Sequence, residues 1–139
     1  MYVKTAGIVG TGKIARELCR ILKGFGMEVL AYDIYPDPEY AVRAQIEYVS
    51  LDELGRRSDI IALHCPLTDD TRHMVNAESI AKMKKGVVIV NTSRGGLIDA
   101  EALLAGITAR HVGAACPGGS EAESDHVFDD FSRPLIHDA

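Results

Sequence analysis

The sequence predicts an α/β fold in which helices cover both faces of a mostly parallel sheet, giving three layers in a doubly wound arrangement. Short apolar runs alternate with helix-like stretches, as they do where crossover helices connect parallel strands. Two runs, within residues 59–64 and at 87–90, are continuously apolar, which is typical of strands buried on both faces. A chain of 139 residues can bury a core as a single domain without disulfides or metals.

The first helix and the strands on either side of it follow from periodicity. Residues 6–9 form an apolar run that ends in glycine. In residues 13–25 the apolar positions recur at spacings of three and four, which predicts an amphipathic helix. Glycines end that helix, and residues 29–32 are predicted to be the second strand. Residues 34–40, which contain two prolines, are predicted to be a loop.

Capping residues and apolar runs predict the remaining elements. Ser50 and Glu53 have the spacing of a capping box that opens a short helix after a strand near Tyr48. The later elements are a strand at 59–64, a helix at 76–83 capped by Asn76, a strand at 87–90, a helix capped by Asp99 that covers 101–104, and a strand at 111–115. Residues 116–139 lose the periodicity, and we expect an irregular C-terminal segment there.

The composition excludes several classes of protein. The formal net charge is −5, from 15 basic and 20 acidic residues, which argues against a nucleic-acid-binding surface. No apolar run approaches the roughly 20 residues that cross a bilayer, and the N-terminus lacks a secretory pattern. Cys19, Cys65 and Cys116 lie far apart, which argues against a disulfide framework and a zinc site. We expect a cytoplasmic protein with no nucleic-acid, membrane or metal partner, and a core thiol at Cys19.

A glycine-rich turn follows the first predicted strand. Gly10, Gly12 and Ala15 form a G-x-G-x-x-A pattern, in which Gly10 permits a tight turn and Gly12 leaves room for a pyrophosphate. The helix that follows favours phosphate at its N-terminus. Asp33 lies 21 residues after Gly12, near the spacing of about 20 that suits an acid binding the ribose hydroxyls. The pattern predicts a Rossmann-type dinucleotide site formed by Gly10, Thr11, Gly12, Lys13, Ile14 and Asp33.

The same region bears on the choice of cofactor. The 2′-phosphate of NADP needs a basic partner, and no basic residue follows Asp33 until Arg43. We therefore expect NAD, as NAD+ or NADH, in preference to NADP. The alternative interpretation is a glycine-rich turn beside a solvated aspartate.

Three segments together resemble a known family. They are GIVGTGKIA at residues 7–15, SDIIALHCPLTDDTRHMVN at 58–76 and MKKGVVIVNTSRGGLID at 83–99. They resemble the signatures of the D-isomer-specific 2-hydroxyacid dehydrogenases, and GFGMEVLAYD and VFDDFS are similar to the D-lactate dehydrogenase branch. The resemblance runs from about residue 5 to about residue 131 and matches only the family's nucleotide-binding domain. It implies NAD-dependent reduction of 2-oxo acids, such as pyruvate, to D-2-hydroxy acids by hydride transfer.

The resemblance also implies residue roles. Arg94 matches the catalytic arginine, whose guanidinium can pair with the carboxylate of a 2-oxo acid and polarise its carbonyl. Glu123 matches the catalytic glutamate if one residue is inserted in the preceding loop. A further group matches the loops that lie against the cofactor, and consists of His64, Cys65, Pro66, Thr92, Ser93 and again Arg94. Thr92 and Ser93 either donate to the cofactor or cap the backbone.

The chain departs from the family pattern in its last quarter. Residues 116–120 (CPGGS) replace an LDVYE-like run that contacts the nicotinamide end of the cofactor. His126 and His137 do not lie in the context of the family's catalytic histidine, and we expect both on the surface. The acidic residues of 121–130 are expected to form a solvated loop. We expect residues 1–139 to be a single NAD-binding domain without its substrate domain, so that a 2-oxo or 2-hydroxy acid would bind only with the missing part.

Two functions from different classes therefore stay open. The first is the NAD-binding domain of a dehydrogenase, inactive or weakly active as this short chain. The second is a non-enzymatic NAD(H)-binding sensor or partner-binding module, and a homo-oligomer is compatible with either. Other fold-mates, such as phosphoglycerate dehydrogenase or adenosylhomocysteine hydrolase, agree less well with NTSRGG and VFDDFS.

Overall fold

The computed structural model describes residues 4–117 and 135–136, and within them seven strands form one sheet. The strands are β1 (Thr5–Val9), β2 (Glu28–Tyr32), β3 (Glu47–Tyr48), β4 (Ile60–Leu63), β5 (Val87–Asn91), β6 (Val112–Pro117) and β7 (Leu135–Ile136). The helices are α1 (Lys13–Gly24), α2 (Pro38–Ala44), α3 (Leu51–Arg57), α4 (Ala77–Lys82) and α5 (Ala100–Thr108), with a 3-10 turn at Gly95–Leu97.

The strand order is β3-β2-β1-β4-β5-β6-β7. Neighbouring strands from β3 to β6 are parallel, and β7 pairs with β6 in the antiparallel direction. The chain moves outward from β1 through β2 to β3 and then returns to β4 on the other side of β1. This order confirms the doubly wound α/β fold. It also creates a crevice at the carboxyl ends of β1 and β4, where open parallel sheets bind ligands.

Helices cover the sheet on both faces. One buried cluster includes Leu54 of α3, Ile80 of α4 and Leu103 of α5. A second cluster includes Cys19 of α1 and Tyr40 of α2. Adjacent residues of β1 contribute to the two clusters, so the clusters lie on opposite faces of the sheet. Cys19 is a core thiol, as expected, and its burial raises the pKa of that thiol.

Polar side chains cap the helices on the second half of the sheet. Ser50, Asn76 and Asp99 each accept hydrogen bonds from backbone N–H groups in the first turn of α3, α4 and α5, as predicted. At α3 the carboxylate of Glu53 pairs with Arg57 one turn later, so the predicted capping box is only half formed in the described structure.

Two segments differ from the sequence-based expectation. The predicted loop at 34–40 is wrong in its second half, because α2 begins at Pro38. Asp37 caps that helix by accepting from the N–H of Tyr40, and a proline in the first turn needs no N–H partner. β6 also continues two residues beyond the predicted end at 115, because its ladder with β5 extends to Asn91 and Pro117.

Within residues 4–117 and 135–136, no helix combines the length and the apolar character needed to cross a bilayer. The same residues contain no group of three or more His, Cys, Asp or Glu side chains arranged to hold a metal ion.

Candidate functional site

The glycine turn joins β1 to α1 at the crevice. Gly10 has a φ of +94°, and its N–H donates to the carbonyl of Tyr32 at 2.8 Å. A Cβ on Gly10 would lie 2.9 Å from the main-chain carbonyl of His64, so only glycine fits where β1, β2 and β4 converge. A Cβ on Gly12 would meet no atom within 4 Å. The turn is therefore tight at Gly10 and open at Gly12, which is the arrangement that a dinucleotide requires.

The N-terminus of α1 lies directly beside this opening. Gly12 occupies the N-cap position without a capping side chain, and the first turn has no acidic residue. Lys13 and Ile14 are exposed there, while Ala15 is buried against the sheet. The first N–H groups of a 12-residue helix carry partial positive charge, so this end suits a phosphate group.

Asp33 follows β2 and binds back to the turn. The N–H and the hydroxyl of Thr11 each donate to Asp33 Oδ2 at 2.8 Å, and the N–H of Tyr35 donates to Oδ1 at 3.0 Å. Burial acts to raise the pKa of Asp33, but these hydrogen bonds and the charge of Arg16 outweigh it and lower the pKa below its usual value. The carboxylate is consequently ionised at neutral pH and fixed at the edge of the crevice.

Arg16 is a site residue that the sequence reasoning missed. Its Nε donates to the carbonyl of Thr11 at 2.9 Å and its Nη2 donates to Asp37 at 3.1 Å. The guanidinium carbon also lies 4.1 Å from the centroid of the Tyr40 ring. Helical side chains lean toward the N-terminus. A long basic residue one turn after Gly12 is therefore the signal that could have identified Arg16.

A cavity of about 270 Å³ opens beside the turn. Its walls combine the turn, the end of β2 and the loop after β4. They are formed by Val9, Gly10, Thr11, Gly12, Tyr32, Asp33, Ile34, His64, Cys65, Pro66, Thr68, Thr71 and Met74. The structure thus brings together the glycine turn, Asp33 and the His64–Pro66 segment, which the sequence places in three separate regions.

Thr71 holds the loop that closes one side of this cavity. Its hydroxyl donates to the carbonyl of Pro66 at 2.8 Å and accepts from the N–H of Thr68 at 2.7 Å. The Sγ of Cys65 lies 3.6 Å from the Sδ of Met74 on the same wall, and burial raises the pKa of the Cys65 thiol. The sequence did not indicate Thr71 and Met74 as site residues, because their contacts with residues 65–68 form only when the loop is folded.

A second, more open cavity of about 750 Å³ lies beyond the same wall. His64, Cys65 and Pro66 line both cavities, so the two spaces are adjacent. The second cavity is also lined by Leu67, Thr92, Ser93 and Arg94. Arg94 is exposed and follows β5, at the carboxyl edge of the sheet.

Asn91 shapes the turn that carries Arg94. This buried side chain donates from Nδ2 to the Arg94 carbonyl at 2.8 Å, and its Oδ1 accepts from the N–H of Ser93 at 2.9 Å. The hydroxyls of Thr92 and Ser93 donate to the carbonyl of Leu63 at 3.5 Å and 3.3 Å. Both hydroxyls are therefore bonded to the backbone, which is one of the two roles that the sequence left open.

His64 lies between the two cavities and lines both of them. Its Nδ1 lies 3.2 Å from the hydroxyl of Thr92, and its buried Nε2 has no hydrogen-bond partner among the described residues. Burial lowers the pKa of the imidazole. His64 is therefore neutral at physiological pH.

Several predicted site features fall outside the described residues. Glu123, His126, His137 and the acidic residues of 121–130 belong to this group, as do residues 118–120 of the altered loop. Cys116 lies in β6, opposite Val90 of β5.

Comparison with known proteins identifies the family. Residues 1–126 match the sequence model of the D-isomer specific 2-hydroxyacid dehydrogenase NAD-binding domain. The chain belongs to this family. The part of the family that it matches is the NAD-binding domain, as the resemblance implied.

Curated relatives of this family domain are similar along its whole length. A D-lactate dehydrogenase of Escherichia coli is 47% identical over 138 residues, covering 99% of this chain and 42% of the relative. A 2-hydroxyacid dehydrogenase homolog of Haemophilus influenzae is 48% identical, covering 99% of this chain and 41% of the relative. The chain thus spans about two-fifths of the length of these relatives.

Solved structures of the family have the same fold. The apo-structure of the Escherichia coli D-lactate dehydrogenase matches with a TM-score of 0.79 and 49% identity, covering 82% of this chain and 36% of that one. A Lactobacillus jensenii D-lactate dehydrogenase with NAD+ matches with a TM-score of 0.82 and 32% identity, covering 88% of this chain and 37% of that one.

Proposed function

We propose that this domain binds NAD(H) in preference to NADP(H) and presents it for hydride transfer between a 2-oxo acid and a D-2-hydroxy acid. The observation that carries the proposal is the Asp33 carboxylate, fixed by Thr11 and Tyr35 beside the uncapped start of α1. A helix N-terminus suits phosphate and a carboxylate suits ribose hydroxyls, and a dinucleotide carries both groups.

The preference for NAD follows from charge. A 2′-phosphate would approach the ionised carboxylate of Asp33, and like charges at short range repel each other. No lysine or arginine is among the residues that line the cavity beside Asp33 in the described part of the chain. NADP therefore has a repulsive neighbour at this position. Arg16, the cation whose charge acts on Asp33, lies outside the cavity wall and is already bonded to Thr11 and Asp37.

We assign Arg94 to the carboxylate of the 2-oxo acid. Its planar guanidinium can form two parallel hydrogen bonds with a carboxylate, and it lines the cavity next to the His64–Pro66 wall. Relatives named as D-lactate dehydrogenases support pyruvate and D-lactate as the reacting pair. NADH supplies the hydride when bound. The catalytic role of Glu123 rests on the family resemblance alone.

We further infer that residues 1–139 act as one domain in the cytoplasm and that the domain is able to form a homo-oligomer. Light scattering measures the oligomeric state, and a pyruvate-reduction assay measures turnover by this chain.

Calorimetric titration of the chain with NADH and with NADPH tests the proposal. We expect saturable NADH binding and clearly weaker NADPH binding. Asp33→Asn keeps the shape of the side chain and removes its charge. This variant should weaken NADH binding and reduce the difference between the affinities for NADH and NADPH. The proposal would be overturned if NADH did not bind at about 1 mM, the range of weak specific ligands. It would also be overturned if NADPH bound at least as tightly as NADH. A chain that binds NADH without reducing pyruvate keeps the sensor alternative open.

A further inference from the structure

Thr11 is bonded through every polar group that it carries. Its N–H and its hydroxyl donate to Asp33, and its carbonyl accepts from Arg16. Its hydroxyl also lies 2.9 Å from the hydroxyl of Tyr48. Only 5% of Thr11 is exposed, so these contacts are shielded from water.

The direction of the hydrogen bonds follows from proton counting. A threonine hydroxyl has one proton, and an ionised carboxylate can only accept. The proton of Thr11 therefore points to Asp33, and the hydroxyl of Tyr48 must be the donor to Thr11. The Tyr48 hydroxyl donates to Thr11, and the Thr11 hydroxyl donates to the Asp33 carboxylate. Consecutive hydrogen bonds of this kind strengthen one another.

In the described part of the chain, Asp33 keeps one free acceptor position. A carboxylate has about four acceptor positions. Thr11 fills two of them on Oδ2, and the N–H of Tyr35 fills one on Oδ1. Both oxygens are thus held, and the remaining acceptor position lies on Oδ1. The carboxylate is oriented before any ligand arrives.

Tyr48 is itself held in place by the sheet. It lies in β3, paired with Ala31 of β2, and the N–H of Val49 donates to the Ala31 carbonyl at 2.8 Å. Its partly buried ring packs against the cluster under α1 and α2. The ring is therefore held against the core, while the hydroxyl reaches the glycine turn.

We propose that Tyr48 is a positioning residue of the cofactor site, which fixes Asp33 through Thr11 and thereby sets the discrimination between NAD and NADP. The inference rests on the proposed function and adds a residue to it. A fixed carboxylate both binds ribose hydroxyls and repels a 2′-phosphate. A carboxylate that can rotate away does each of these less well. Loss of the Tyr48 hydroxyl should therefore weaken NADH binding more than NADPH binding.

The test is a set of NADH and NADPH titrations on the full chain. Tyr48→Phe removes the hydroxyl and keeps the ring, and we expect about two- to tenfold weaker NADH binding, the effect of one hydrogen bond, with a smaller loss for NADPH. Thr11→Val should lower the ratio of NADH affinity to NADPH affinity further, and Thr11→Ser, which retains the hydroxyl, should keep a higher ratio than Thr11→Val. Glu47→Gln is the matched control, because Glu47 precedes Tyr48 in β3 and the change alters an exposed ion pair with Arg57 of α3.

Each outcome of these titrations decides the proposal. Equal losses for both nucleotides in Tyr48→Phe would indicate a merely structural role and overturn it, as would unchanged binding. If Tyr48→Phe does not fold, the contrast between Thr11→Val and Thr11→Ser carries the test, and equal ratios in these two variants overturn the proposal. If the parent chain binds no NADH, the proposed function fails. If the parent binds NADH but the variants keep its ratio of NADH to NADPH affinity, only the role of Tyr48 is refuted.

Discussion

At the scale of single residues, the two glycines of the turn have different physical tasks. Gly10 has a positive φ and contacts the main chain of His64, so its lack of a side chain serves the fold. Gly12 has an ordinary φ of −76° and faces open space, so its lack of a side chain leaves room for the proposed ligand. The pattern G-x-G does not distinguish these tasks, but the structure does.

This difference predicts opposite phenotypes for two alanine variants. Gly12→Ala should change the free energy of unfolding by no more than about 0.5 kcal/mol, while its new methyl group blocks the dinucleotide and weakens NADH binding at least about tenfold. Gly10→Ala should destabilise the fold by roughly 1–3 kcal/mol, because alanine is strained at that φ. Urea unfolding and calorimetric titration measure both effects. A destabilised Gly12→Ala would contradict this reading of the turn.

At the scale of secondary-structure elements, Asp59 connects three segments at the amino edge of the sheet. It precedes β4, its Oδ2 accepts from the N–H of Thr5 at 2.9 Å, and its Oδ1 accepts from Lys84 at 3.1 Å. The hydrogen bond from Thr5 and then the Lys84 ion pair lower the pKa of Asp59, and partial burial opposes them. The carboxylate thus stabilises the start of β1 and the segment that leads into β5.

The lowered pKa of Asp59 predicts how stability depends on pH. A carboxyl group with a depressed pKa in the folded state stabilises the protein above its unfolded pKa of about 3.9, and this contribution is lost as the pH falls through the folded value. Asp59→Asn should therefore be less stable than the parent at pH 7 and lose less stability below about pH 4. Urea unfolding along a pH series measures this. The exposed Asp69→Asn is the control, and a parent-like acid slope in Asp59→Asn would refute the assignment.

At the scale of the whole molecule, the site exists because the winding of the sheet reverses between β1 and β4. Residues from β1, β2, the β4 loop and the β5 loop meet at that edge, and helices on both faces hold the strands in register. A ligand at this edge contacts several elements at once. Its binding energy is therefore linked to the folding of the domain.

Linkage predicts that NADH raises the thermal stability of the domain. A ligand at 100 times its Kd adds about 2.7 kcal/mol to the stability of the folded state, which corresponds to roughly 10 °C in Tm for a domain of this size. Differential scanning calorimetry measures the shift. Gly12→Ala, folded but without the open turn, should show little or none. An equal shift in that variant would mean that NADH stabilises the chain at another place.

The sequence by itself determined the alternation of strands and helices, the glycine turn, Asp33 and the family. These features depend on local periodicity and short spacings, which a single sequence records directly. It did not reveal α2, because prolines at 36 and 38 indicate a loop until the cap at Asp37 is recognised.

Only the tertiary structure decided which side chains hold the site in shape. Tyr48 reaches Thr11 across 37 residues of sequence, and Thr92 reaches the Leu63 carbonyl across 29. Parallel strands that are neighbours in the sheet are separated along the chain by crossover helices. No local pattern encodes such a pair, so the residues that orient Asp33 and the Arg94 turn became visible only once the strands were placed side by side.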